Sequence, residues 1–327
     1  MRLPGVRKRL LAFSLTTLAL LTATPAARSI DYSESEPNDF ATSFLPGNPL
    51  FESGDRLVGS FGSGSDLDSQ FLTFAGPGAT GLYRYTFDLA TGGNDSYLDL
   101  FDTNFRYLGL SDDFADTSPA SRIVFDQFHN DLSSTVFGLD IGTFGDTFDY
   151  QLTVTRTLTP VNALGGLGFG SLSVTNPTGA GAATWYSFSL ASAGTLTADT
   201  LGSLNSDTEI ALFDAAGRIL LANDDIGSAD LLSRLSIDLD AGDFFLAVGP
   251  YDSYYDWDYD TGAPSGWDRS GFSGGADLTR TGNNLEPHRL TLSLSAAVPE
   301  PSSLSLLGVG LLGAAAFGVR RRRRPRQ

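Results

Sequence analysis

One stretch of this 327-residue chain occurs twice, and this repetition limits the folds that the chain can adopt. Asp95 to Arg122 aligns without a gap to Asp207 to Arg234, which lies 112 residues further on. When the alignment is extended through Asp126 and Asp238, 11 of 32 positions are identical, whereas unrelated segments of this composition would match at about two. The sequence therefore predicts one architecture that is used twice.

Short runs rich in Val, Phe, Tyr, Leu and Thr surround both copies and alternate with clusters of Gly, Asp and Asn. This spacing, without a long 3.6-residue period, is typical of β-sandwiches and barrels. Within the second copy, the alternation predicts a half-buried strand with Ile210 and Leu212 facing the core. We therefore predict an all-β fold with two tandem antiparallel β-sandwich (jelly-roll-like) domains, over residues 31–157 and 158–297.

The N-terminal segment has the layout of a secretory signal peptide. Four basic residues precede an apolar run from Leu10 to Leu21, and the small-residue stretch TATPAA follows. The apolar run is too short to span a bilayer as a permanent anchor. We predict that residues 1–27 are a signal peptide and that the chain is exported across an inner membrane.

The C-terminal segment combines Pro299, Glu300 and Pro301 with an apolar stretch over 304–319 and the arginine-rich end RRRRRPR. Sixteen helical residues reach about 24 Å, so this is a marginal transmembrane segment, with the arginines held on the cytoplasmic side. Residues 298–327 closely resemble a PEP-CTERM sorting signal. That resemblance implies processing by an exosortase in a Gram-negative bacterium, a transient anchor in the inner membrane, and release or transfer to the outer surface or the extracellular matrix.

The segment between the two ends is strongly acidic and contains no cysteine. It carries 11 basic residues, all arginine, against 37 acidic residues, and so a net charge near −26. Such a field repels nucleic acid and anionic lipid and favours divalent cations, so we expect no nucleic-acid partner. The absence of cysteine excludes disulfides, thiolate metal sites and thiol catalysis.

Acidic residues recur at the turns of both copies. The second copy has Asp214, Asp224 and Asp225, and the first copy has Asp102, Asp112 and Asp113 at the same positions. Asp side chains accept hydrogen bonds from nearby backbone N–H groups, so one interpretation is turn construction, with Arg218 and Arg234 in structural ion pairs. The other interpretation is a cation held by either set of carboxylates.

The opening ESEPND, followed by a strand ending in LFD, a DD step and an aromatic–x–x–x–V–G strand, resembles the bacterial pre-peptidase C-terminal domain. That domain is a small calcium-associated β-sandwich of secreted enzymes and surface proteins. The resemblance covers residues 34–155 and 170–295, although the second copy lacks the EPND opening. It implies Ca²⁺ as a cofactor, with oxygen ligands from Glu34, Glu36, Asn38 and Asp39.

A long insertion between Gly249 and His288 distinguishes the second copy from the first. Loops of this length in a compact sandwich are functional or disordered. Aromatic residues alternate with acids here, and they are candidates for stacking on sugar rings: Tyr254, Tyr255, Trp257, Tyr259 and Trp267. The alternative is a satellite hydrophobic cluster that holds the loop in place.

No constellation in the sequence indicates a catalytic site. Gly271 to Gly275 fits G-x-S-x-G, but the buried strand and the helix that a nucleophile elbow needs are not predicted around it. His129 and His288 lack the neighbours of a general base, and the position of His288 at the start of the last strand predicts a surface side chain.

The function that these features favour is non-enzymatic: an exported cell-surface or exopolysaccharide-matrix protein with calcium-stabilised sandwiches, whose partners are an exosortase and envelope or exopolysaccharide components. The first alternative is a calcium-dependent, lectin-like adhesin that uses the aromatic and acidic loop at 251–267. A secreted hydrolase with a dispersed pair of carboxylates is the weakest alternative.

Overall fold

The computed structural model describes residues 29–34, 45, 48–62, 67–103, 107–111, 120–145, 147–176, 183–203, 207–227, 229–250 and 287–296, and the backbone of four short strands between 254 and 277. These residues contain strands, turns and no helix, which confirms the all-β prediction. Accordingly, none of them forms a helix able to cross a membrane. The predicted signal peptide and the predicted transmembrane segment lie outside the described residues.

The chain forms strands throughout this part. Those up to Leu158 are β1 (Asp31–Ser33), β2 (Leu50–Phe51), β3 (Arg56–Ser60), β4 (Leu67–Phe74), β5 (Gly81–Ala90), β6 (Ser96–Phe101), β7 (Tyr107–Ser111), β8 (Arg122–His129), β9 (Thr135–Thr143) and β10 (Asp149–Leu158). Those that follow are β11 (Val161–Leu167), β12 (Gly170–Asn176), β13 (Thr184–Leu190), β14 (Gly194–Asp199), β15 (Thr208–Asp214), β16 (Ile219–Asn223), β17 (Arg234–Leu239), β18 (Gly242–Pro250), β19 (Tyr254–Tyr255), β20 (Trp257–Asp258), β21 (Ala263–Pro264), β22 (Phe272–Asp277) and β23 (His288–Ser295).

These strands form two sandwiches, and we name their sheets 1a and 1b, 2a and 2b. Sheet 1a has the order β1-β3-β10-β5-β8-β22-β19 and faces sheet 1b, β2-β4-β9-β6-β7. Sheet 2a has the order β12-β23-β14-β17 and faces sheet 2b, β11-β13-β18-β15-β16. Each pair encloses a separate hydrophobic core. The core of sandwich 1 is richer in aromatic residues (Phe74, Tyr85, Phe87 and Phe137 among them), and that of sandwich 2 is mainly aliphatic (Leu196, Leu212, Leu246 and Leu292).

The two sandwiches have the same strand order, so the prediction of one architecture used twice is confirmed. Strands β3-β10-β5-β8 correspond to β12-β23-β14-β17, and β2-β4-β9-β6-β7 correspond to β11-β13-β18-β15-β16. The repeated sequence forms hairpin β6–β7 in one copy and hairpin β15–β16 in the other. Even a shift in pairing register recurs, at Leu100/Phe101 and at Leu212/Phe213. The pairing is antiparallel as predicted, except at three edge strands, β1, β2 and β11, which pair parallel.

One of the repeated identities, Ser121 and Ser233, has a direct structural cause. The Ser121 hydroxyl donates to the carbonyl of Ser96 at 2.7 Å, and the equivalent Ser233 hydroxyl donates to the carbonyl of Thr208. Both serines are almost fully buried. A buried carbonyl without a donor is costly, so each hydroxyl supplies a donor to a carbonyl at the start of the hairpin. The serine therefore recurs because it joins the hairpin to the strand that follows it.

The outer face of sheet 2b packs against the outer face of sheet 1a. Leu82 and Phe128 of sandwich 1 share a buried cluster with Trp185, Phe213 and other apolar residues of sandwich 2. The ring of Phe128 lies 5.4 Å from that of Trp185 and 5.7 Å from that of Phe213, centroid to centroid. Strand β15 is therefore buried on both faces, and the prediction that it is half-buried is wrong, because sandwich 1 covers the face expected to meet water.

One fully buried carboxylate lies inside this contact. Asp126 of β8 accepts two hydrogen bonds from Arg84, at 2.8 and 2.7 Å. It also accepts one from the Thr159 hydroxyl at 3.1 Å and one from Trp185 Nε1 at 2.8 Å. Burying a charge is costly unless it is paired and hydrogen-bonded, and here the donors come from both sandwiches. The polar group therefore fixes how sandwich 2 is oriented on sandwich 1.

A strand from the long insertion of sandwich 2 also extends a sheet of sandwich 1. Strand β22 pairs antiparallel with β8, with Phe272 opposite His129 and Asp277 opposite Phe125, and β19 pairs with β22 in turn. The chain passes from sheet 1a to sheet 2b between Leu158 and Val161 and then returns through this insertion. The two sandwiches are thus joined by side-chain packing and by a shared sheet.

Candidate functional sites

The opening segment begins at Glu34, which is held by sandwich 1. Its carboxylate accepts a hydrogen bond from the Ser60 backbone N–H at 2.7 Å and one from the Tyr150 hydroxyl at 3.0 Å. Burial raises the pKa of the Tyr150 hydroxyl, and the neighbouring carboxylates of Asp68 and Glu34 raise it further. Asp68 is fully buried, so two carboxylates converge where the opening segment leaves β1. The other predicted ligands, Glu36, Asn38 and Asp39, lie outside the described residues.

A second acidic group lies at the edge of sheet 2b. Asp207, Asp224 and Asp225 each offer a carboxylate oxygen, and these oxygens lie within 4.8 Å of one another. The hairpin explains this proximity, because Asp207 directly precedes β15, Asp224 directly follows β16, and the two strands pair antiparallel with Ile210 opposite Asn223. All three side chains are half-buried. The arrangement provides hard oxygen donors of the type that calcium prefers.

Asp214 does not join this group, although the sequence suggested it. It lies at the turn of the hairpin, where its carboxylate accepts from the backbone N–H groups of Ala216 and Arg218, both at 2.9 Å. It also forms the expected ion pair with the Arg218 guanidinium at 2.7 Å. Asp214 is therefore a turn-building residue, and Asp207 takes its place beside Asp224 and Asp225.

Sequence reasoning missed Asp207, although a signal for it was present. Asp207, Asp224 and Asp225 are all among the positions that are identical between the two copies, where their counterparts are Asp95, Asp112 and Asp113. Pairing of the two hairpin strands brings the residue before one strand next to the residues after the other. Asp112 and Asp113 lie outside the described residues, and Asp102, the counterpart of Asp214, is buried.

The insertion contacts both sandwiches. Tyr254 and Tyr255 form β19 at the edge of sheet 1a, whereas Trp257 lies in β20, which pairs with β21 to form a hairpin beside β16. The backbone alone is described at these three residues, and Tyr259 and Trp267 lie outside the description, so their role in polysaccharide binding stays a prediction. This location places the hairpin near the group Asp207, Asp224 and Asp225, because Asp224 and Asp225 directly follow β16.

Both histidines are buried, so the prediction of a surface position for His288 is wrong. His288 Nε2 is 2.8 Å from the Tyr186 hydroxyl, and His129 Nε2 is 2.9 Å from the Tyr85 hydroxyl. Burial lowers the pKa of His288 to about 4. Burial, together with the nearby Arg156 guanidinium, lowers the pKa of His129 to about 4 as well. Both imidazoles are therefore neutral at pH 7 and act as internal hydrogen-bonding groups.

Comparisons with known proteins identify the C-terminal segment. The model of the PEP-CTERM protein-sorting motif matches residues 297–323, a range that contains Pro299, Glu300 and Pro301. No curated protein matches the chain.

Solved structures show only weak likeness to the chain. The pre-peptidase C-terminal domain of a collagenase from Bacillus anthracis is similar at 13% identity and a TM-score of 0.26, covering 42% of this chain and 98% of that one. The CUB1-EGF-CUB2 region of human MASP-1/3 is similar at 8% identity and a TM-score of 0.22, covering 69% and 99%. At these scores neither likeness supports an argument. The sorting motif, in contrast, indicates secretion and a membrane-anchored C-terminal sorting signal in a Gram-negative bacterium, so the chain is an exported, exosortase-processed protein.

Proposed function

We propose that this exported protein is a non-enzymatic structural component of the cell surface or the exopolysaccharide matrix. The observation that carries the proposal is the junction between its sandwiches, where a fully buried carboxylate, Asp126, accepts hydrogen bonds from both. Domain contacts that bury apolar residues and satisfy a shared polar group favour one rigid body over two mobile modules. Rigidity of this kind suits a protein that spans a distance or bears load.

Calcium is the second part of the proposal, and it acts on the acidic loops. The carboxylates of Asp207, Asp224 and Asp225 repel one another, and a divalent cation between their oxygens would remove that repulsion. Glu34 and Asp68 support a similar role at the start of sandwich 1, because both carboxylates face the Tyr150 hydroxyl. The net charge near −26 of the exported part raises the local concentration of divalent cations.

Thermal unfolding with calcium and with a chelator tests the calcium part. A ligand at about 100 times its dissociation constant stabilises a fold by about 2.7 kcal/mol, so we expect a clear rise in melting temperature with calcium. Replacing Asp207 and Asp225 by Asn together should reduce that rise. Asp214→Asn is the matched control, because it removes a nearby carboxylate that pairs with Arg218 and should leave the calcium response intact. Equal melting temperatures with calcium and chelator would remove calcium from the proposal.

A calcium-dependent, lectin-like adhesin is the second candidate function. It is favoured by the position of the β20–β21 hairpin beside β16, close to the group Asp207, Asp224 and Asp225. Replacing Trp257 and Trp267 by Ser, followed by measurement of retention on the exopolysaccharide of the producing bacterium, separates the two candidates. A structural protein should keep its retention, whereas a lectin that uses this loop should lose it.

A further inference from the structure

The outer face of sheet 1b differs from its counterpart in sandwich 2. On sheet 2b, Trp185, Ala247 and Ala211 lie side by side on neighbouring strands and are covered by sandwich 1. The corresponding positions on sheet 1b are Ser69, Asp140 and Asp99, which are paired in the same order across β4, β9 and β6. The three apolar residues through which sheet 2b contacts sandwich 1 are replaced by three polar residues on sheet 1b. The outer face of sheet 1b therefore does not pack on a sandwich as the outer face of sheet 2b does.

Two carboxylates lie next to each other in this row. Asp99 and Asp140 are directly opposite on antiparallel neighbours, a geometry that places their Cβ atoms about 5 Å apart. The Ser69 hydroxyl donates to Asp140 Oδ1 at 2.6 Å, which holds that carboxylate in place. Burial and the adjacent Asp140 raise the pKa of Asp99 to about 6. Near that pH Asp99 exists in both protonated and ionised forms, so it can donate as well as accept a hydrogen bond.

Aromatic rings flank the carboxylate pair, and glycines make room for them. The ring of Tyr97 fills the space where a side chain at Gly142 would be, since a Cβ atom there would lie 2.2 Å from Tyr97 Cζ. The Phe71 ring lies over Gly138 in the same way on the other side of Asp140, with its Cε1 3.0 Å from a Cβ position. Phe144, 58% exposed, has its ring centroid 5.4 Å from that of Tyr97.

We propose that this face, formed by Tyr97, Asp99, Asp140 and Phe144, with the almost fully buried Ser69 hydroxyl holding Asp140, binds a neutral polysaccharide. Sugar hydroxyls both donate and accept hydrogen bonds, which matches two carboxylates and a tyrosine hydroxyl side by side. The apolar face of a sugar ring packs against an aromatic ring, and an amphipathic ligand of this kind suits an aromatic wall beside polar groups. The net charge near −26 of the exported part disfavours an acidic polysaccharide.

A basic protein segment is the competing ligand, and the geometry favours it less. A cation gains most from a fully ionised pair of carboxylates, whereas burial and the adjacent Asp140 disfavour ionisation of Asp99, and the Ser69 hydroxyl already occupies one oxygen of Asp140. This proposal goes beyond the structural role, and it requires neither calcium nor the 251–267 loop.

Affinity electrophoresis of the exported protein tests the proposal. The probes are galactomannan, hydroxyethyl cellulose, dextran and the neutral polysaccharide of the producing bacterium, with alginate as an acidic polysaccharide and oligo-arginine as a basic ligand. We expect retardation by at least one neutral polysaccharide, unchanged by a chelator. Tyr97→Ala and the double variant Asp99→Asn with Asp140→Asn should each weaken it at least tenfold. Gly142→Ala should also weaken it, because the added methyl group displaces the Tyr97 ring without altering a carboxylate.

Two controls keep the outcomes distinct. Asp243→Asn removes an exposed acid of sandwich 2 and should leave retardation unchanged, as should the serine variants of Trp257 and Trp267. Melting temperatures within a few degrees of the parent protein show that each variant is folded. No retardation by any neutral polysaccharide, or binding to oligo-arginine alone, overturns the proposal while leaving the structural role intact. Loss of binding in the tryptophan variants only would assign the sugar site to the loop instead.

Discussion

The outer faces of sheets 1b and 2b occupy the same place in two copies of one scaffold, but they meet different surroundings. On sheet 2b the face is apolar and covered, with Trp185 completely buried, whereas on sheet 1b it carries Asp99 and Asp140 and stays partly exposed. The inner faces are apolar in both copies, because both must fill a core between two sheets. The comparison shows that the repeat preserved what makes each sandwich fold and varied the surface that decides what each sandwich contacts.

The first prediction tests the covered face and has the largest expected effect. Trp185→Ala should cost about 3–5 kcal/mol in the free energy of unfolding, because it leaves a cavity and removes the Nε1–H donor from buried Asp126. Ser69→Ala is the matched control at the corresponding position of sheet 1b, and it should cost about 1 kcal/mol. Urea denaturation measures both, and similar costs would contradict the difference drawn between the two faces.

The second prediction uses the buried histidine of each sandwich. The lowered pKa values of His129 and His288 mean that the unfolded chain binds more protons than the folded one between pH 4 and pH 6.5. The stabilisation is therefore fully present above about pH 6.5 and is lost as pH falls towards 4, on the order of 3 kcal/mol for each histidine. Urea denaturation from pH 7 to pH 4.5 measures the loss.

Two variants separate the contributions of the two histidines to this pH dependence. His288→Gln should remove about half of this pH dependence, and His129→Gln should remove the other half. Salt should affect only the part due to His129, because Arg156 and Asp131 act on its pKa, whereas burial alone lowers the pKa of His288. A pH profile that neither variant changes would contradict the assignment.

The third prediction concerns the turn of the repeated hairpin where it meets sandwich 1. Gly217 has φ +74°, and a Cβ atom there would lie 2.2 Å from Cγ of Phe128, so Gly217→Ala should cost about 2–3 kcal/mol. Gly202→Ala is the matched control, since Gly202 has φ +84° but its nearest neighbour, on Arg289, would be 3.6 Å away. We expect about 1 kcal/mol there, from backbone strain alone. Equal destabilisation by Gly217→Ala and Gly202→Ala in thermal unfolding would show that the turn does not pack closely against Phe128.

The fourth prediction tests the polar face and has the smallest expected effect. The raised pKa of Asp99 means that its ionised form is disfavoured in the folded protein, so stability falls as pH rises from about 4 to 6. Asp99→Asn should therefore stabilise the protein at pH 7, by about 1 kcal/mol after allowance for solvent screening, and should have no effect below pH 4. Asp243→Asn, on an exposed position, should change nothing at either pH. Destabilisation at pH 7 would contradict the pairing with Asp140.

The sequence predicted the repeated scaffold well because its signals are local. Strand alternation depends on near neighbours, and so do turn residues such as Asp214 and Gly217. The structure contains the strand and the turn that these signals predict. Burial of the second face of β15 was missed, although the run TEIALFD has apolar residues in both phases of the alternation, as strands covered on two sides do. The sequence pattern of such a strand indicates that both of its faces are covered, but it does not identify what covers the second face.

The site residues were less predictable because they depend on pairing between distant segments. Asp207 joins Asp224 and Asp225 only through the hairpin register, and the row Ser69, Asp140 and Asp99 exists only once β4, β9 and β6 are aligned. Strand β22 was also missed, since its run of Gly and Ser has little strand propensity and is ordered by the free edge of β8.

The pairing of β22 with β8 has a consequence for the order in which the protein is assembled. Sheet 1a receives its β22 strand from residues Phe272–Asp277, nearly 150 positions after β8 begins, so this edge can be completed only after most of sandwich 2 has crossed the membrane. Until then β8 presents an open edge on which another chain could pair. During export, sandwich 1 begins to fold first, but its edge is completed only shortly before β23 (His288–Ser295) completes sandwich 2.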